Sequence, residues 1–255
     1  MRYYLGLFFA TLLPATAPVN ADEYQLDSRS IDWSSLNWFA GVDVSYLNAG
    51  GDINFAGTTN SVYGGTPTIS MDDGGRLALR FGFETRGAWR IEGDLGYVKT
   101  YSDTRPFIGF DDRSDDLFSV DAEIESLTFM LNGSYDFDIG SSRFTPFLQG
   151  GVGVSRNRTT STSLDVEFNS AIWDGTQFEG LSLTGYEYPE GSSTEFAWSF
   201  SAGLRAHLSR HFSATLEYGL LSLGDALTET DANGDALGVS DLMLEQLTLG
   251  LDYRF

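Results

Sequence analysis

Two short steps in this chain carry side chains capable of hydrolytic chemistry. His207-Leu208-Ser209 and His211-Phe212-Ser213 each set an imidazole two residues from a hydroxyl. A base beside a hydroxyl nucleophile is the minimum for acyl-ester cleavage. The minimum is not met by spacing alone, because the base needs a third group to orient it. No glutamate is placed beside either pair on the face that would meet substrate. The stretch Asp231-Ala232-Asn233-Gly234-Asp235 begins like a calcium loop, since hard cations prefer carboxylate and carbonyl oxygen. It lacks glycine at the sixth position, where Ala236 stands, and glutamate at the twelfth, where Leu242 stands. A solvated turn is the preferred reading, with Ca2+ at Asp231, Asn233 and Asp235 as the alternative; no other cofactor is expected. Asp111, Asp112, Asp115 and Asp116 form the densest acidic cluster. Cysteine is absent, which removes disulfides, thiolate metal sites, cysteine nucleophiles and a lipid-modified cysteine anchor.

A third set of reactive groups needs a scaffold before it means anything: Arg80, Arg90 and Arg205 with Glu84, Glu92, Asp94 and Glu217. Each lies in a segment that alternates apolar with polar residues, the mark of a strand with two unlike faces. The last nine residues, Leu247 to Phe255, are the clearest case. About nine such residues, tilted, cross a bilayer. Seven more segments share the pattern: 37–48, 75–86, 89–100, 126–137, 145–155, 195–208 and 212–222. Trp38, Trp89, Phe137, Phe212, Tyr253 and Phe255 fall at one set of strand ends, and Tyr46, Tyr97 and Phe196 at the other. Connections near Gly87, Gly140 and Arg210 are short, whereas those over 49–74, 101–122, 157–193 and 223–240 are long. Aromatic girdles with short turns on one side and long loops on the other define an outer-membrane barrel, in which the apolar face looks outward. The expected fold is therefore all-β: an antiparallel up-and-down transmembrane β-barrel of eight strands. Alternating pieces at 164–168 and 181–183 leave ten strands as the alternative.

The turn at Arg86-Gly87-Ala88 sets a register. With Thr85 opposite Trp89, Glu84 faces Arg90 and Arg80 faces Asp94 inside, while Phe83 meets Ile91 and Leu79 meets Leu95 outside. All parities then agree, as a correct register requires. At Ser209-Arg210-His211, Leu208 opposite Phe212 puts Arg205 diagonal to Glu217. An interior ion-pair network follows. Its plain role is to fill a narrow barrel, since eight strands leave room for little but side chains. Its sharper role is a gate whose pairs exchange partners.

The amino terminus fits a secretory signal, with Arg2, an apolar run over 5–13 and small residues at Val19-Asn20-Ala21. Residues 1–21 are expected to be the signal peptide, 22–36 a periplasmic lead-in, and 37–255 the barrel with four long extracellular loops. Those loops hold 19 acidic residues against Arg105, Arg113 and Arg158. They should face the exterior as an acidic crown. The whole chain has a formal net charge of -21, which excludes nucleic acid as a partner. Its one lysine, Lys99, has lipid-facing parity but sits at the outer end of its strand, where it can snorkel.

With signal, strands and the Tyr253-Arg254-Phe255 ending in place, the chain resembles the small OmpA/OmpX/opacity-type eight-stranded outer-membrane barrels. The resemblance covers Leu36 to Phe255. It implies residence in the bacterial outer membrane, lipids and lipopolysaccharide as neighbours, a monomer, and recognition of Tyr253 and Phe255 by the barrel-assembly machinery. The His-x-Ser steps resemble those of the outer-membrane lipid A deacylases. Here, however, they sit at a periplasmic turn, across the membrane from lipid A, so the chain is expected not to be an enzyme. The expected function is a surface barrel with acidic loops, in structural support and in adhesion or divalent-bridged lipopolysaccharide contact. A narrow gated channel for small solutes or ions is the alternative, and a lipid hydrolase a weaker one.

Overall fold

The structure is a computed structural model that describes residues 36–49, 52–56, 69–70, 73–85, 88–102, 107–108, 117–141, 143–168, 171–173, 176–178, 181–230 and 236–255. The expected signal peptide and nearly all of the lead-in lie outside the described residues. So do Asp111, Asp112, Asp115 and Asp116, and the calcium-loop candidates Asp231, Asn233 and Asp235.

Eight long strands make the barrel: β1 (Asn37–Ala49), β2 (Gly74–Glu84), β3 (Trp89–Ser102), β4 (Leu117–Asp136), β5 (Phe144–Phe168), β6 (Gly191–His207), β7 (Phe212–Ser222) and β8 (Met243–Arg254). Each pairs antiparallel with its sequence neighbours, and β1 pairs with β8 to close the ring. The register at the first turn is the one the sequence dictates: Glu84 opposite Arg90, Arg80 opposite Asp94, Phe83 opposite Ile91 and Leu79 opposite Leu95. Across the β6–β7 turn, Arg205 lies opposite Thr215 and so diagonal to Glu217.

The stagger of the closed ring follows from the pairing. From Ala202 on β6 the partners run through Tyr218, Leu247, Tyr46, Gly75, Lys99, Glu125 and Arg158 to Ser192, ten residues earlier on β6. Such a shear tilts the strands by about 35–45° and leaves a lumen only as wide as the side chains that fill it.

Burial settles which face looks out. Leu79, Phe129 and Leu249 are 61%, 58% and 64% exposed, whereas Arg80, Arg90 and Asp252 are 5%, 1% and 1% exposed. A soluble fold would reverse those figures; here the apolar side chains meet hydrocarbon. The periplasmic rim is a belt of ring contacts, with Trp38 stacked on Phe81 at 5.4 Å, Trp89 edge-on to Tyr135 at 5.1 Å and Phe212 edge-on to Tyr253 at 5.2 Å. The carboxy-terminal residue is sewn into it: the Phe255 amide donates to the Trp38 carbonyl at 3.0 Å.

Two strands run longer than alternation at membrane length requires. Above the bilayer β4 and β5 go on pairing with each other as far as Leu117 opposite Glu167, past one irregularity between Asp121 and Glu123. Leu181–Glu187 adds to the upper end of β5, and Phe107–Ile108 to that of β4. The alternating pieces at 164–168 and 181–183 therefore extend the sheet above lipid, and the ring closes with eight strands. A separate four-stranded sheet joins Asp52–Ala56, Ile69–Ser70, Ala226–Leu227 and Ala236–Val239. It links the β1–β2 connection to the β7–β8 connection.

Candidate functional site

The lumen holds two layers of unlike chemistry. The periplasmic half is ionic. Arg80 Nη2 lies 2.7 Å from Asp43 Oδ1 and 2.9 Å from Asp252 Oδ1, and its Nη1 3.5 Å from Glu92 Oε2. Arg90 reaches Asp252 Oδ2 at 3.0 Å, Glu92 Oε2 at 3.2 Å and Glu84 Oε1 at 3.5 Å. Its guanidinium also lies over the Phe39 ring at 3.4 Å, a cation–π contact that replaces lost hydration. Gln149 Nε2 donates to the second Glu92 oxygen at 2.9 Å. Toward the rim, Arg254 Nε meets Glu84 Oε2 at 3.1 Å. Arg205 binds Asp136 at 2.5 Å and lies over the Phe147 ring. Buried charges are tolerated only when paired and hydrogen-bonded in this way.

All seven residues named from sequence are in the lumen; Glu84 pairs with Arg90 as expected, but two other pairings differ. Asp94, opposite Arg80 in register, bonds Arg76 instead. Glu217 lines the small cavity beside Arg80, and Arg205 takes Asp136 in its place. Sequence reasoning missed Asp43, Asp252, Arg76 and Asp136. Asp252 was findable: Gly41 is its partner on β1, and Gly41 is also the partner of Arg80 on β2. A side chain at Gly41 would collide with the Asp252 carboxylate and the Arg80 guanidinium. A side chain at Gly250 would meet Asp43 and Arg80. The two inward glycines are the gap through which Arg80 reaches Asp43 and Asp252 together.

The outer half of the lumen is built around an apolar cluster, set among buried hydroxyls and amides such as Thr100, Ser126 and Asn157. Leu47, Val98, Ile124, Leu221 and Leu244 point inward from the wall and are fully buried. Leu223, Ala226, Val239 and Leu242, from the connection between β7 and β8, fill the space between them. The expectation that this connection stands wholly in the exterior crown is corrected: its described ends fold into the barrel mouth. Backbone bonds between Leu223 and Leu242 and between Leu242 and Gly224 close its neck. It is held across the mouth by β5 and β6. Ser155 Oγ and Asn157 Nδ2 donate to the Leu223 carbonyl at 2.6 and 2.8 Å. Asn157 Nδ2 and Ser193 Oγ donate to the Asp225 carbonyl at 2.8 and 2.7 Å. Gly224 takes a φ of 69° to make the inward bend, a conformation open to glycine at no steric cost.

Between the layers lies a cavity of about 20 Å³, lined by Asp43, Arg80, Asn132, Gln149, Glu217 and Leu221 among others. That is room for about one water.

The histidines have structural partners. His207 bonds Thr145 Oγ1 at 3.1 Å and Arg254 Nη2 at 3.3 Å. The Ser209 hydroxyl accepts from the amides of His211 and Phe212, tying the tight turn. His211 bonds the Arg254 carbonyl at 3.0 Å and stacks on Tyr253. Ser213 is buried toward the lumen. These contacts place the His-x-Ser steps in the turn and the rim.

An eight-stranded barrel with a greasy exterior and an ion-paired lumen is an outer-membrane β-barrel by its physics. The chain belongs to the outer membrane protein beta-barrel domain family, which matches residues 33–255. It is 26% identical over 210 residues to outer membrane protein PagN of Salmonella typhimurium (strain LT2), covering 77% of this chain and 74% of that one. Among solved structures it is similar to OprG of Pseudomonas aeruginosa, with 14% identity, a TM-score of 0.45, and 87% and 96% of the two chains covered. It is also similar to Neisserial surface protein A, with 14% identity, a TM-score of 0.43, and 86% and 97% covered. The protein resides in the bacterial outer membrane.

Proposed function

We propose that the protein is a sealed surface barrel: a monomer that stiffens the outer membrane and presents its acidic loops for contact outside the cell. The observation that carries this reading is the doubly filled lumen. A conducting pore needs a continuous wet path, and here an ion-locked layer and an apolar layer lie in series with a one-water cavity between them. Work is then left to the extracellular loops and the outer wall. Tyr253 and Phe255, at the end of β8, serve as the assembly signal, and the catalytic reading of His207 and His211 is set aside because their rings are engaged in the rim.

The test is planar-bilayer recording of the refolded protein. The expected trace is silent at moderate voltage. Steady discrete openings whose size changes on Arg80→Ala would replace this reading with the channel.

A further inference from the structure

We propose that the outer wall at β3 to β6 carries a binding site for the phosphate groups of an outer-leaflet phosphoglycolipid, with Arg156 and Arg158 as its anion ligands. The proposal rests on the outer-membrane placement and not on what the loops contact.

The site begins with a break in the lipid-facing pattern. On β5 the outward run Leu148, Val152, Val154 gives way to Arg156 and Arg158. On β4 Leu131, Phe129, Leu127 gives way to Glu125, and on β3 Leu95, Tyr97 gives way to Lys99. The breaks are level with one another, since Leu127 pairs with Arg156 and Glu125 with both Arg158 and Lys99. This is where hydrocarbon ends and headgroups begin. Three cations converge there in a chain with only 15 lysines and arginines against 36 acids, so their convergence is not a sample of the average surface.

Their partners are unequal. Lys99 Nζ is held by Glu123 at 2.6 Å and Glu125 at 3.7 Å. Glu125 also accepts from the Tyr97 hydroxyl at 2.7 Å. Arg158 meets Glu190 at 2.5 Å, but both side chains are more than half exposed, and a pair so solvated is readily exchanged. Arg156 is exposed and has no carboxylate partner among the described residues. It borders a shallow groove of about 310 Å³ with Tyr97, Glu125, Leu127, Arg158 and Ser192.

A planar guanidinium at the hydrocarbon edge matches a phosphate bidentately. Leu127 and the apolar wall below it give the lipid's acyl chains their floor. Glu125 beside the site disfavours a closely packed anion unless its charge is shared, and Lys99 and Tyr97 share it. The chemistry that fits is a phosphate on a large headgroup with several acyl chains, approaching from the membrane side.

The probe is bisphosphorylated lipid A, added to the full-length protein in detergent and read by native mass spectrometry, with EDTA present. The expected result is retention of lipid A in EDTA, and about tenfold weaker retention by the R156Q/R158Q double variant, whose lost charge-assisted contacts lie outside the folded interior. Arg210→Gln, which removes one cation at a periplasmic turn far from the groove, should leave retention unchanged. Heat-modifiable gel mobility reports that each variant is folded. Dephosphorylated lipid A should bind the unaltered protein about as weakly as bisphosphorylated lipid A binds the double variant. Equal retention of phosphorylated and dephosphorylated lipid A, equal retention by the double variant, an equal loss in R210Q, or complete loss in EDTA would each overturn the proposal. Loss in EDTA would point to divalent bridging through the carboxylates. None of these outcomes bears on whether the lumen conducts.

Discussion

On β1 the inward residues at the periplasmic end are Phe39, Gly41 and Asp43, while the inward residue near the outer end is Leu47. On β8 the same change runs from Asp252 at the periplasmic end to Leu244 at the outer end. One wall thus supports two kinds of filling. The ionic layer is specific. Every charge needs a partner at a fixed place, so register, inward glycines and side-chain length must all agree. The apolar layer needs only volume, and it takes much of that volume from a connection rather than from a strand. The first layer is costly to break at any one point; the second yields in proportion to what is removed.

The largest effect is expected from Arg80→Leu. It leaves Asp43 buried without the guanidinium that pairs it and takes one of two from Asp252, which costs about 3–5 kcal/mol for a broken buried pair. Reversible urea unfolding in phospholipid vesicles measures it. A loss below about 1 kcal/mol would mean the layer is wet enough to screen its charges, and the contrast between the halves would fail. A smaller loss is expected from Leu242→Ala, about 3 kcal/mol, because the neighbouring leucines close only part of the cavity it leaves. The same unfolding assay, run at two salt concentrations, sharpens the comparison. The Leu242 deficit should be independent of salt, since no charge is removed.

The sequence makes the barrel legible because alternation, girdle aromatics and unequal connections all report on the lipid boundary, and that boundary is continuous. It makes the first hairpin's register legible because the turn is tight and the parity of every pair can be checked. The Glu84–Arg90 contact follows from that register. Arg80 does not follow. Its register partner is Asp94, yet a long side chain in a narrow lumen chooses among carboxylates from four strands, and Gly41 opens the way to Asp252. Leu47, Val98 and Leu244 have the right parity to be seen as inward, but the rule that small barrels have polar interiors hides their meaning. The plug was illegible for a different reason. Leu223, Ala226, Val239 and Leu242 are spread along a connection rich in Asp and Gly, with no period to mark them. Only the opposite wall, through Ser155 and Asn157, shows where they go.

The smallest of these effects tests that last point. Asn157 offers two amide hydrogens, one to the Leu223 carbonyl and one to that of Asp225, from a strand that is two removed from β7. Asn157→Ala takes both away without disturbing the apolar contacts. Ser155 still serves Leu223, and Ser193 still serves Asp225, so neither carbonyl is orphaned. Global stability should therefore fall by only about 1–2 kcal/mol, the net worth of the lost bonds. The local consequence should be larger than the global one. Amide exchange over 223–230 and 236–242 should quicken while the strands of the ionic layer exchange as before, because a plug pinned from the wall can loosen without the wall opening. If exchange quickens equally in both layers, the lumen is one cooperative unit, and the distinction between a charge-locked half and a plugged half has no energetic content.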